Sequence, residues 1–205
     1  LSGLAASSAI SSAVTCNGGQ GTVTVSVIGG TGPYTGTGSF AVTAGNYNYI
    51  VTDSNGCSAS TSIVVTEPNA LVASSSETVN IICNSGLATV SVSAVGGTGP
   101  YTGTGNYSVL AGPYSYIVTD FNLCVDITTI FITEPTAINA VMSSVSASCN
   151  PDGQASVAAS GGTPSYTYLW SNNASTATII NLAAGTYSVQ ITDANNCVSN
   201  QSVVV

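Results

Sequence analysis

Gly29–Gly38 reads GGTGPYTGTG, and the same ten letters recur at Gly96–Gly105. A motif that performs chemistry is rarely copied at a fixed distance, whereas a building block is. Working outward, Cys16 and Cys83, Cys57 and Cys124, and Glu67 and Glu134 are likewise each 67 residues apart. A third, divergent copy opens at Cys149, carries GGTPSYTY (Gly161–Tyr168) in place of the Gly/Thr stretch, and closes at Cys197. Its two cysteines are 48 residues apart rather than 41, the extra length falling between Leu169 and Gly185. Self-similarity at this period marks three tandem structural units, with boundaries at 1–68, 69–135 and 136–205.

Each copy carries the same order of signals. Thr22–Ile28 (TVTVSVI), Ala88–Val95 (ATVSVSAV) and Gln154–Ser160 (QASVAAS) alternate apolar and small polar residues, the period-two pattern of a half-buried strand. A Gly-Gly-Thr loop with a proline follows, then a second alternating run: Tyr47–Asp53, Tyr114–Asp120 and Tyr187–Asp193. Tyr47, Tyr49 and Val51 and their equivalents are expected to face inward. DSNGC, DFNLC and DANNC then read as hairpin turns, because Asp and Asn bond to their own backbone and tolerate left-handed angles. A last strand ends at Pro68 or Pro135 in the first two copies. Short strands at regular spacing, with no helical periodicity, predict an all-β chain of three antiparallel sandwiches.

The chain has 205 residues, eight Asp and Glu, and no Lys, Arg or His. Lys and Arg ordinarily make up roughly a tenth of a protein. Without cations the chain cannot neutralise phosphates or dock on anionic lipid heads, so neither nucleic acid nor membrane insertion is expected. Nor can it form side-chain ion pairs, so stability must come from apolar burial, backbone ladders and cross-links. No run of 18 apolar residues is present. A serine or cysteine nucleophile would lack a His or Lys base, and the acids are spread thinly, so no enzyme is expected. No cofactor or resident metal is indicated. Leu1 is not an initiator methionine, and the expectation is one period of a longer repetitive protein.

Six cysteines, Cys16, Cys57, Cys83, Cys124, Cys149 and Cys197, without a Cys-x-x-Cys pair or a histidine, point to disulfides in an oxidising, extracellular compartment. Two pairings are open. One bridge per copy would join Cys16–Cys57, Cys83–Cys124 and Cys149–Cys197. In a plain sandwich, however, the first cysteine of a copy lies at one end and the second at the other. Strands of that length span about 20–25 Å, whereas bridged Cα atoms lie about 5–6 Å apart. A pairing shifted by one copy would join Cys16–Cys124 and Cys83–Cys197, leaving Cys57 and Cys149 for neighbouring subunits.

Gly161–Cys197 (GGTPSYTYLWSNNASTATIINLAAGTYSVQITDANNC) resembles the SprB repeat of gliding-motility surface adhesins, and the wider class of PKD-like immunoglobulin-fold modules with Gly-x-Tyr before a strand ending in Thr-Asp. The first two copies resemble it more loosely, lacking YLWSN. The resemblance implies Ig-like β-sandwiches in a secreted surface protein, structural or adhesive, with no catalytic residues to transfer. The implied role is a subunit of an extracellular filament or fibrous adhesin that self-associates. The other reading is a binding module gripping a glycan or surface protein through loops at Tyr34, Tyr101 and Tyr166.

Tyr47, Tyr114 and Tyr187 are candidates for tyrosine corners, whose hydroxyls tie back to nearby backbone. Trp170, the single tryptophan, falls where strand C of such a sandwich places its core ring. Asp53, Asp120 and Asp193, with Asn55, Asn122 and Asn195, offer either turn caps or oxygen ligands for calcium. Glu67 and Glu134 are expected to stiffen the junctions. Asn106, Asn173 and Asn200 head Asn-x-Ser sequons compatible with glycosylation.

Overall fold

A computed structural model describes residues 3–148 and 150–205. Cys149 therefore lies outside the described residues, within which every regular element is a β-strand. The first repeat contains β1 (Ala5–Ser12), β2 (Gly21–Ile28), β3 (Gly38–Val42), β4 (Gly45–Thr52) and β5 (Ser58–Val65). The second contains β6 (Val72–Val79), β7 (Ala88–Val95), β8 (Gly105–Val109), β9 (Gly112–Thr119) and β10 (Val125–Ile132). The third contains β11 (Asn139–Val145), β12 (Gly153–Ser160), β13 (Thr167–Trp170), β14 (Thr178–Leu182), β15 (Thr186–Thr192) and β16 (Val198–Val204). The chain falls into two compact units. One holds Leu1–Ser75, Val92–Gly105 and Ser115–Thr129; the other holds Ser76–Ser91, Asn106–Tyr114 and Ile130–Val205.

Each repeat supplies two sheets. In the first, β1-β2-β3 faces β4-β5, both antiparallel. Val23 and Val25 from β2, Val42 from β3, Val51 from β4 and Val65 from β5 are buried between them, as the alternation requires. β5, the last strand, ends its two-stranded sheet and lies beside β1, where Ser8 Oγ and Thr61 Oγ1 hydrogen-bond at 2.9 Å. In the third repeat β11-β12-β14 faces β13-β15-β16 around Ala155, Val157, Trp170, Ile179, Leu182, Val189 and Ile191.

The extra residues of the third repeat form β13 and its turn. They deliver Trp170 to the core, its indole Nε1–H donating to the Thr176 carbonyl at 2.8 Å. In the first two repeats the same position shrinks to single bridges, Thr35 with Thr52 and Thr102 with Thr119. In the first repeat the space is filled differently. Phe40, opposite Val23, packs on Tyr49 with ring centroids 4.9 Å apart. The corresponding third-repeat residues are the smaller Ile179, opposite Ala155, and Val189. One large indole plus two aliphatic residues thus replaces an aromatic pair, keeping the core filled.

The duplicated Gly-Gly pair also has a local cause. Gly30, Gly97 and Gly162 adopt positive φ (65°, 56° and 56°). Each passes against a buried aspartate: an added Cβ would stand 2.9, 2.6 and 2.7 Å from Oδ2 of Asp53, Asp120 and Asp193. Both the backbone angle and the space demand glycine.

Candidate functional site

Those three aspartates build the turns that carry the second cysteine of each repeat. Asp53 Oδ1 accepts from the Asn55 and Cys57 amides, both at 2.9 Å, while Oδ2 accepts from the Thr31 amide at 3.1 Å. Asp120 is bound identically by Asn122, Cys124 and Thr98, and Asp193 by Asn195, Cys197 and Thr163. Each carboxylate accepts three amide hydrogen bonds from its own repeat. Among the described residues, no group of three or more His, Cys, Asp or Glu gathers that could hold a metal ion. These side chains fix the turns.

Burial of Asp53 and Asp120 pushes their pKa values up, but three amide donations to each outweigh it, so both lie below the ordinary value of 3.8. Asp193 is also held down, first by the Thr163 amide. A carboxyl whose pKa is depressed on folding stabilises the protein above its unfolded pKa, and that stabilisation is lost as pH falls through the folded value. The urea midpoint is therefore expected to be level from neutral pH to about pH 5 and to fall steeply below about pH 4. The triple variant Asp53→Asn, Asp120→Asn, Asp193→Asn should be less stable at pH 7 and show a shallower acid loss.

The first cysteine of each repeat sits on a different turn. Gly19 N–H donates to the Cys16 carbonyl at 2.9 Å, Gly18 N–H to Glu67 Oε2 at 2.6 Å, and Asn17 Nδ2 to the Pro68 carbonyl at 3.1 Å. Gly86, Ser85, Asn84, Glu134 and Pro135 repeat this pattern around Cys83. Thr-Glu-Pro, read from sequence as a stiff linker, clamps the cysteine turn of its own repeat.

The two kinds of turn meet. Cys16 is bonded to Cys124 (Cα–Cα 5.7 Å) and Cys83 to Cys197 (5.6 Å). The in-copy pairing of Cys16 with Cys57 and Cys83 with Cys124 is thereby corrected. The physical reason is length: eight-residue β2 separates the Cys16 turn from the loop against Asp53, and eight residues of strand cover about 26 Å. Beside each bridge an asparagine makes a second attachment. Asn122 Nδ2 donates to the Thr15 carbonyl at 3.2 Å, and Asn195 Nδ2 to the Ile82 carbonyl at 3.3 Å. The same asparagines bond Thr98 and Thr163 hydroxyls at 3.0 Å within their own loops. Sequence reasoning offered them as turn caps or calcium ligands, not as links between repeats; the threefold Asp-x-Asn-x-Cys spacing was the available signal. The Asp53 turn is built the same way, but Cys57 is exposed and unbonded.

The tyrosine candidates bond to nearby backbone. Tyr47, Tyr114 and Tyr187 each donate to the carbonyl four residues upstream, Thr43, Leu110 and Ala183, at 3.1 Å, the geometry of a tyrosine corner. Tyr34 and Tyr101 donate to Gly29 and Gly96 carbonyls at 2.8 and 2.6 Å, and Tyr166 to Gly161. These last three are half-buried, each in its own repeat.

One turn position departs from its equivalents. Gly56, Leu123 and Asn196 correspond, at φ 81°, 66° and 63°. Glycine and asparagine suit this region, whereas leucine strains it. Leu123 is 80% exposed, so Leu123→Asn sacrifices little packing and is expected to raise stability by about 1 kcal/mol, read from the denaturant midpoint.

The molecule is an array of Ig-like β-sandwich repeats, with disulfides joining one repeat to the next. Residues 142–175 match the family model of the SprB repeat. Among solved structures, the N-terminal eight Ig domains of Down Syndrome Cell Adhesion Molecule are 12% identical, with 87% of this chain and 29% of that chain covered and a TM-score of 0.39. Three N-terminal domains of the highly immunogenic outer capsid protein of bacteriophage RB49 are 12% identical, with 99% and 95% covered and a TM-score of 0.37. None of the curated proteins matches the chain.

Proposed function

We propose that the chain is the structural subunit of an extracellular surface filament, joined end to end through Cys57 of one copy and Cys149 of another. The observation that carries this reading is the repeated junction: the first cysteine of one repeat bonds the second cysteine of the next, twice within the chain. Continuing that rule leaves one second-type cysteine, Cys57, and one first-type cysteine, Cys149. Cys57 already sits exposed on a turn of the same build as those that carry Cys124 and Cys197.

Two thiols form the link by surrendering two protons and two electrons to a disulfide-bearing oxidant of the extracytoplasmic space. The role is mechanical, not catalytic: each bridge limits unfolding under load, and the match to the SprB repeat supports a surface location. Among the described residues no helix is long and apolar enough to cross a membrane.

Denaturing electrophoresis of native material without reductant tests the proposal. A ladder of multiples that collapses to one band on reduction, and is absent in Cys57→Ser, is expected. A single band under both conditions would refute the covalent filament.

A further inference from the structure

The second repeat differs from its neighbours on one surface. Ile117 on β9, Phe121 and Leu123 in the turn, and Val125 and Ile127 on β10 are 59, 68, 80, 57 and 56% exposed. All belong to one hairpin, within one compact unit. At the equivalent positions the first repeat has Ile50, Ser54, Gly56, Ser58 and Ser60, and the third has Gln190, Ala194, Asn196, Val198 and Asn200. The shared fold therefore does not need these apolar side chains. The two acids of this hairpin are turned away from it: Asp120 is buried as the turn cap, and Asp126 Oδ2 accepts from the Ala73 amide at 2.7 Å.

A second observation points the same way. Leu123 holds a left-handed backbone angle that disfavours it, while projecting into solvent. Strain kept at an exposed apolar residue is a mark of function outside the fold.

We infer that this hairpin is a homophilic lateral contact: it docks on the same hairpin of a second copy of the chain. The five side chains leave on the order of 500 Å² of apolar surface, so a two-fold pairing removes about 1,000 Å², the threshold of a specific interface. A chain without cations has no charge with which to select an acidic partner, and the patch has no charged group to repel its twin. The contact is modest in a single pair. In the filament proposed above it recurs once per subunit and is multiplied by valency. That amplification rests on the filament reading, but the pairing itself does not.

The test therefore uses the full chain with Cys57→Ser and Cys149→Ser, which cannot form the end-to-end link. Sedimentation equilibrium is expected to show a reversible monomer–dimer equilibrium. Adding Phe121→Ser and Leu123→Asn should weaken it at least tenfold, while the denaturant midpoint holds or rises, showing the variant folded. A chain that stays monomeric at millimolar concentration, or a dimer unchanged by the two substitutions, would overturn the inference. Neither outcome bears on the disulfide ladder, so the two proposals fail separately.

Discussion

Replacing Cys83 and Cys197 by serine is expected to lower the unfolding free energy by about 4–5 kcal/mol. The bridge joins residues 114 apart in sequence, so its loss restores a large conformational entropy to the unfolded chain. The Cys16–Cys124 bridge, with a separation of 108, should contribute equally. An in-copy bridge would close a loop of about 41 residues and give roughly 1 kcal/mol less. Urea unfolding of the double-serine variants measures the effect. Losing the bridge also loosens the Asn195 to Ile82 hydrogen bond beside it, whereas Asn195→Ala alone should cost only about 1 kcal/mol. A fall below 2 kcal/mol for the double-serine variant would mean that the junction is held by other contacts.

Trp170→Ala is expected to cost about 3–5 kcal/mol. The indole is 1% exposed, lies between Ile179, Leu182, Val189 and Ile191, and bonds Thr176 through Nε1. Alanine would leave a cavity that neighbouring aliphatic side chains cannot reach across, and would remove the side chain that anchors β13 to the core. Phe40→Ala should cost less, because that ring is only half-buried. Calorimetry, or tyrosine near-ultraviolet circular dichroism on heating, would reveal an early transition in the tryptophan variant confined to the third repeat.

Much of this architecture was legible in the residues. Val23, Val25 and Val51 alternate strongly with Ser, Thr and Asn, so their strands and inward faces could be read directly. The Asp-x-Asn-x-Cys turns were legible because their side chains bond their own backbone, which is local chemistry. The opening strand of each repeat was not. Ala5–Ser12 is built from Ala, Ser and one Ile, too little contrast for alternation to show, and its partner strand supplies the missing information. The short β3 and β8 were missed for a similar reason, being five residues that begin at a glycine.

The candidate site was only half visible. Strand length placed the two cysteines of a repeat at opposite ends, which argued against an in-copy bridge and offered the shifted pairing, but could not decide between the two. That choice depends on where one repeat's turn stands against the next, a tertiary fact. The same holds for Asn122 and Asn195, whose second hydrogen bonds reach more than 100 residues away. Leu123 was unremarkable as a letter; its backbone angle makes it informative.

The most direct test of the junction rule is disulfide mapping of native material. With no Lys or Arg for trypsin, pepsin at low pH is the suitable protease, and the acid also suppresses thiol exchange. Mass spectrometry of the unreduced peptides should find Cys16 linked to Cys124, Cys83 to Cys197, and Cys57 to Cys149. Peptides linking Cys16 to Cys57 and Cys83 to Cys124 would contradict the account at its centre.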